Sequence, residues 1–162
     1  MKIVLLGTGG YHPSELRHTA CMMLPSQGIV LDAGTALFRV RDWLETDHLN
    51  ILLTHAHLDH IIGLTFLFDV LYKKKVSQVT AYAESTKMES IERHLFSEDL
   101  FPVKPPLTFA PIGDLPTLGD DCRVTHFPLE HPGGSLGFRL DWPDPIDGVR
   151  DRYRRQRRRR LR

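Results

Sequence analysis

At 162 residues, with 41% hydrophobic and 25% charged residues, the chain has the size and composition of one ordinary globular domain. No apolar run approaches the ~20 residues of a membrane span, and the opening Met1–Gly7 is too short for a signal-peptide core, so a cytosolic (cytoplasmic) protein is expected. The formal net charge of +1 hides a split: from Arg150 onward there are nine arginines and one aspartate, which leaves the rest of the chain strongly acidic.

Lys2–Gly7 is an apolar run ending in Gly-Thr-Gly-Gly, which reads as a first strand and a tight turn. Thr19–Leu24 and Gly28–Leu31 read as a hairpin across Pro25-Ser26-Gln27. Thr35 caps a predicted helix to about Asp47, with Leu37, Val40 and Leu44 on its buried face. Leu49–Leu53 is a buried strand. Ile61–Lys75 follows as an apolar helix whose three terminal lysines suit the negative helix end. Val79–Ala83 is a strand and Glu84–Phe96 a helix with Met88, Ile91 and Leu95 at helical spacing. Phe101–Pro116 holds five prolines and reads as an irregular connection. Arg123–Leu129 and Ser135–Trp142 are further strands, joined by Glu130-His131-Pro132-Gly133-Gly134. Strands that alternate with helices early and pair as hairpins later imply an α/β domain with a mixed sheet. Cys21 and Cys122 read as buried free thiols rather than a disulfide.

The chemistry concentrates in "THAHLDH", residues 54–60, directly after the Leu49–Leu53 strand. His55, His57, Asp59 and His60 are good ligands for zinc and similar borderline ions. A strand-to-helix turn can fan such side chains around a cavity. His55 and His57 can reach one cation, and Asp59 and His60 a second beside it. His48 and His94 fall on predicted helices as surface residues. His126 alternates within a strand, and His12 and His18 flank the first loop, where they could line a substrate cleft.

In "IVLLGTGG", "IVLDAGT", "ILLTHAHLDHIIGL" and "PLEHPGGSLGFRL", the chain resembles the metallo-β-lactamase superfamily from Lys2 to about Trp142, and within it the ribonuclease Z-like phosphodiesterase branch. The resemblance implies an αββα sandwich, here with its C-terminal part missing, in which residues 1–142 form the metallo-β-lactamase-like domain. It implies His55, His57 and His131 on a first metal, and Asp59 and His60 on a second. It further implies that Asp59 would orient the attacking hydroxide and that Asp32 would brace the His loop from behind. The implied activity is zinc-dependent hydrolysis (Mn2+ or Fe2+ also fit such ligands), with metal-bound hydroxide attacking a phosphodiester in RNA or a nucleotide, or an ester.

The family's bridging aspartate and last histidine have no counterpart in "PDPIDGVRDRYRRQRRRRLR", so impaired catalysis is expected, and the alternatives of an inactive fragment or a basic-tailed nucleic-acid-binding module stay open. Loss of the later elements would expose sheet edges and the apolar face of Ile61–Tyr72, inviting a partner chain, a second copy included. Residues 143–162 have almost nothing to bury and read as a disordered Arg-rich tail. That tail is also readable as a frameshift. Residues 144–155, with the first base of the Gln156 codon, can be encoded so that deleting one base yields Asp-Arg-Ser-Met-Ala-Tyr-Val-Thr-Asp-Thr-Ala-Asp, a strand entering a Thr-Asp-Thr turn. The gene's DNA beyond codon 144, read in the other frame, is then expected to continue with the bridging aspartate and a later histidine; sequencing that shows neither removes the frameshift account.

Overall fold

The structure, a computed structural model, describes residues 2–115, 117 and 121–143. The Arg-rich tail and the frameshift reading placed on it lie outside the described residues. Six strands form one mixed sheet in the order β1 (Val4–Gly7), β2 (Cys21–Leu24), β3 (Ile29–Leu31), β4 (His48–Leu52), β5 (Gln78–Ala83) and β6 (Thr108–Pro111). A single turn of 3-10 helix, Pro25–Gln27, joins β2 to β3, and so short a link permits only an antiparallel pair. Longer crossovers carrying helices join β3 to β4 and β4 to β5, and these pairs are parallel, as is β5 with β6. The C-terminal ends of β3, β4 and β5 therefore open onto the same edge of the sheet, where ligands bind in open α/β sheets.

Strand alternation sorts the apolar residues onto two faces. Val30, Ile51, Leu53 and Ala81 face one way and pack under Leu37, Val40, Ile61, Leu64, Leu67 and Val70 from the helical layer. Ile29, Leu52 and Tyr82 face the other way. They meet Cys122 and Leu136, with Val124, Phe138 and Leu140 packed alongside, from the antiparallel hairpin β7 (Arg123–Leu129) and β8 (Ser135–Asp141). The described residues thus stack as helices, sheet and hairpin. Cys21 and Cys122 are free and buried. No helix among the described residues is long and apolar enough to cross a membrane.

Several elements differ from their sequence expectation. The helix expected from Thr35 to Asp47 is a 3-10 segment, Thr35–Arg39, followed by α1 (Val40–Trp43), and it stops at Leu44, whose ψ of 116° is extended. The chain must leave the helix there to bring His48 into the sheet, so His48 begins β4 and is not a helical surface residue. The next helix starts three residues early, as α2 (Leu58–Ile61), passes through 3-10 geometry at Ile62–Phe66 and ends with α3 (Leu67–Val70). The three lysines lie beyond it, with Lys73 at a φ of 58°. Ile61, Leu64, Leu67 and Val70 are buried against the sheet, so the apolar face of this region is covered; Phe68 and Tyr72 are what it exposes. The helix after β5 is α4 (Ser85–Ser90) continued by a π-helical turn, Ile91–Leu95, on which His94 is exposed. The proline-rich connection contains β6, which pairs with β5 alone and carries Pro111 at its end; an edge strand tolerates proline because its outer side needs no ladder donor.

One glycine sets how closely the helical layer meets the strand ends. A Cβ on Gly63 would overlap the carbonyl oxygen of Gly34 and stand 2.7 Å from that of Ala33 and 2.6 Å from Leu37 Cβ. Gly63 N–H donates to Ala33 O at 2.8 Å, so the backbones are locked at this separation. Gly63→Ala is expected to cost about 1–3 kcal/mol through overpacking, read as a lower urea midpoint at unchanged slope.

Candidate metal centre

Leu53 ends the run of buried residues in β4 and its extension, and the chain then turns outward through residues 54–57 before α2 begins. His57 is the extended residue ahead of that helix, and His60 N–H donates to its carbonyl at 2.9 Å. His55 and His57 point to one side of the turn. The residues between and after them, Ala56 and Leu58, line an apolar cavity of about 250 Å³ together with Ile61, Ile91, His94 and Leu95. His131 arrives from the β7–β8 turn. Leu136 N–H donates to Thr54 O at 2.9 Å, which fastens the start of β8 to the His loop.

One ligand atom from each of His55, His57 and His131 lies within 4.8 Å of the others. The rings of His55 and His57 stand 4.6 Å apart, those of His55 and His131 4.6 Å, and those of His57 and His131 4.9 Å. His131 Nε2 faces His57 Nδ1 at 3.2 Å. His60 is on the far side of His55, ring to ring at 4.1 Å, and its Nε2 is 3.5 Å from Asp59 Oδ2. The structure therefore brings together a trio, His55, His57 and His131, and beside it a pair, Asp59 and His60.

Asp32 organises this cluster from beneath. It is buried and takes a left-handed backbone, φ 59°, which aspartate tolerates better than most residues. Thr54 N–H donates to its Oδ1 at 2.8 Å, and the Thr54 hydroxyl lies 2.9 Å from both carboxylate oxygens. With that hydroxyl proton on Asp32, the Thr54 oxygen accepts from His55 Nδ1 at 2.8 Å, leaving the His55 Nε2 lone pair free. His60 Nδ1 likewise donates to Asp32 Oδ2 at 2.9 Å, freeing Nε2. A carboxylate that fixes the tautomer of a ligating imidazole is the usual support of a metal site.

The two imidazoles respond in opposite directions. Burial, reinforced by the neighbouring His60, lowers the pKa of His55 to about 4, so it is neutral and able to ligate at neutral pH. Burial also works against a charged His60, but the hydrogen bond and charge of Asp32, with the charge of Asp59, outweigh it and raise the pKa. The donor set fits a divalent cation of the zinc type: three imidazoles with lone pairs converging, and a braced imidazole–carboxylate pair next to them.

Two parts of the arrangement escaped the sequence reading. Thr54, directly before His55, relays Asp32 to His55; its position in "LLTHAH" was the available signal. Tyr11 N–H, in the first loop, donates to Asp59 Oδ2 at 2.7 Å; a backbone contact across 48 residues leaves no compositional trace. Of the other histidines, His12 Nδ1 contacts Pro13 O and His18 Nδ1 contacts Thr35 Oγ1, while His126 is exposed on β7.

A sandwich of helices, sheet and hairpin with a His-x-His-x-Asp-His turn at the strand ends defines a class. The metallo-beta-lactamase superfamily matches over residues 21–146, and the chain belongs to it. Among curated proteins it is 28% identical over 166 residues to a ribonuclease Z of Metallosphaera sedula, covering 96% of this chain and 54% of that one. It is also 28% identical to a ribonuclease BN of Escherichia coli, covering 89% and 50%. The chain spans about half the length of the curated relatives it matches. Among solved structures, the metallo-beta-lactamase fold protein YhfI of Bacillus subtilis aligns with a TM-score of 0.63 at 18% identity, over 86% of this chain and 57% of that one. A diphosphatase of the PhnP family aligns at 0.60 and 17%, over 85% and 61%. Zinc-bound PqqB of Methylobacterium extorquens aligns at 0.56 and 16%, over 88% and 62%. The described layers are thus the first helical layer and parts of both sheets of the αββα sandwich.

Asp32→Asn keeps the shape of the hub and removes its charge. In the metal-free protein, His60 is expected to titrate at lower pH in this variant than in the wild type, read from its ring proton shifts in an NMR pH series.

Proposed function

We propose that the chain carries the metal-binding half of a hydrolase site of the ribonuclease Z-like kind, acting on phosphodiesters in RNA or a nucleotide. The observation that carries this is the convergence of His131 on His55 and His57 from a segment 74 residues away. The curated relatives named ribonuclease Z and the diphosphatase neighbour support the substrate class.

In this reading His55, through Nε2, His57, through Nδ1, and His131, through Nε2, hold one divalent ion. Zinc suits the three imidazoles, and the zinc-bound neighbour supports it; manganese and iron fit the same donors. When bound, the ion supplies Lewis acidity and lowers the pKa of a coordinated water to about 7. The chain's own residues do the rest. Asp59 stands beside the trio, its Oδ2 fixed by Tyr11 N–H, where it orients a water and accepts its proton. Asp32 holds the tautomers of His55 (through Thr54) and His60, so neither ring has to reorganise. Among the described residues the second position has Asp59 and His60 alone, so one tightly held ion per chain and weak two-metal catalysis are expected.

Segment 150–162, with nine arginines against an acidic remainder, offers nonspecific contacts to nucleic-acid phosphates in the same reading.

The test is metal content with mutation. Wild-type protein dialysed against zinc is expected to keep about one ion per chain, and His57→Ala to lower zinc affinity by at least about 100-fold, more than a change behind a ligand costs, together with hydrolysis of bis(p-nitrophenyl) phosphate. Absence of uptake of zinc, manganese and iron by the folded wild type would end the proposal.

A further inference from the structure

The third imidazole of the trio sits on the least supported segment of the site. Residues 131–134 are all exposed, and Gly133 and Gly134 have φ values of 79° and 80°. Two glycines in that region let the chain turn sharply, and they also make the turn costly to order, because glycine loses the most freedom on being fixed. Gly134 N–H donates to His131 O at 2.8 Å, which closes the turn on itself. Among the described residues, two polar side-chain contacts tie residues 130–134 to the rest of the chain. One is the ring contact of His131 with His57. The other runs from Lys87 Nζ to Gly133 O.

We propose that Lys87 is a positioning residue for His131: its ammonium latches the 131–134 turn from outside the hairpin and holds the third imidazole over the other two. Lys87 is well placed for this. It lies on α4, which follows β5 at the sheet edge where the His loop opens, and its side chain is half-buried. The carbonyl it grips belongs to the residue whose Cβ position is 3.8 Å from His57 Nε2. A shift of the turn would therefore move His131 and change the cover over His57 together. The charge-assisted bond is of the stronger kind, and it replaces the apolar packing that the exposed turn lacks. A ligand already held in place needs less ordering when a cation arrives.

The consequence for metal affinity rests on the reading of the trio as a metal site; the latch itself does not, and the experiment separates the two. Lys87→Met keeps the stem and removes the donor and the charge. Lys87→Arg keeps both a donor and the charge. In the metal-free full chain, the Gly134 amide is expected to exchange with deuterium about tenfold faster in Lys87→Met, with the strand amides of β4 and β5 unchanged, and near the wild-type rate in Lys87→Arg. Zinc affinity is expected to fall about tenfold in Lys87→Met, the lower end of what a support behind a ligand contributes, and to return in Lys87→Arg. The cobalt-substituted visible spectrum should change in Lys87→Met alone.

The sign of the affinity change discriminates sharply. A bare cation near the site would repel a dication, so its removal would tighten binding; where the wild type binds zinc, tighter or unchanged zinc binding by Lys87→Met overturns the positioning of His131 by Lys87. Wild-type exchange at Gly134 in Lys87→Met overturns it as well. Faster exchange in a protein that takes up no metal would uphold the latch and refute the metal reading.

Discussion

A buried carboxylate, Asp32, is the point on which the site depends. It accepts from the Thr54 amide and hydroxyl and from His60 Nδ1, so three groups on the His loop and the following helix are referred to one fixed charge. A carboxylate out of water is costly unless its lone pairs are occupied. Here they are occupied by groups whose orientation sets the tautomers of His55 and His60. The left-handed backbone at Asp32 carries a strain of about 1–3 kcal/mol, and the gain is local. The next residue, Ala33, donates to His60 O at 2.7 Å and accepts from Gly63 at 2.8 Å, which clamps the C-terminal end of the His-bearing segment.

Sheet topology explains why the imidazoles and carboxylates meet. β3, β4 and β5 run parallel, so Asp32, the His loop and α4 all emerge at one edge. The β7–β8 hairpin lies on the opposite face of the sheet from the helices, and its turn returns to the same edge through the bond from Leu136 to Thr54. Small residues make the approach close enough. Gly34 packs against the Asp59 carbonyl, with Thr19 Oγ1 2.5 Å and Ala20 O 2.7 Å from where a Cβ would stand. A side chain there would push the helical end of the His loop off the strand ends.

The electrostatics divide the cluster into two environments within one ring-to-ring distance. His55 is buried among other imidazoles and stays neutral. His60 is held between two carboxylates, Asp32 and Asp59, which raise its pKa against the opposing effect of burial.

Much of this was legible in the amino-acid order, because the relevant patterns are local. The His-x-His-x-Asp-His spacing after a buried strand, the Gly-rich and hairpin turns, and the alternation that makes a mixed sheet all depend on neighbours within a few residues. What depended on distant segments was not legible. The helix after Thr35 ends at Trp43 because His48 is needed in the sheet, and β6 forms through prolines because β5 offers it an edge. The sequence by itself determined that imidazoles and carboxylates of metal-binding type share one strand-to-helix turn. Only the tertiary structure decided that His131 faces His57, that Thr54 relays Asp32 to His55, that a backbone amide of the first loop holds Asp59, and that Lys87 grips the His131 turn. Hydrogen bonds across many tens of residues are set by packing, and packing leaves no periodicity in the chain to read.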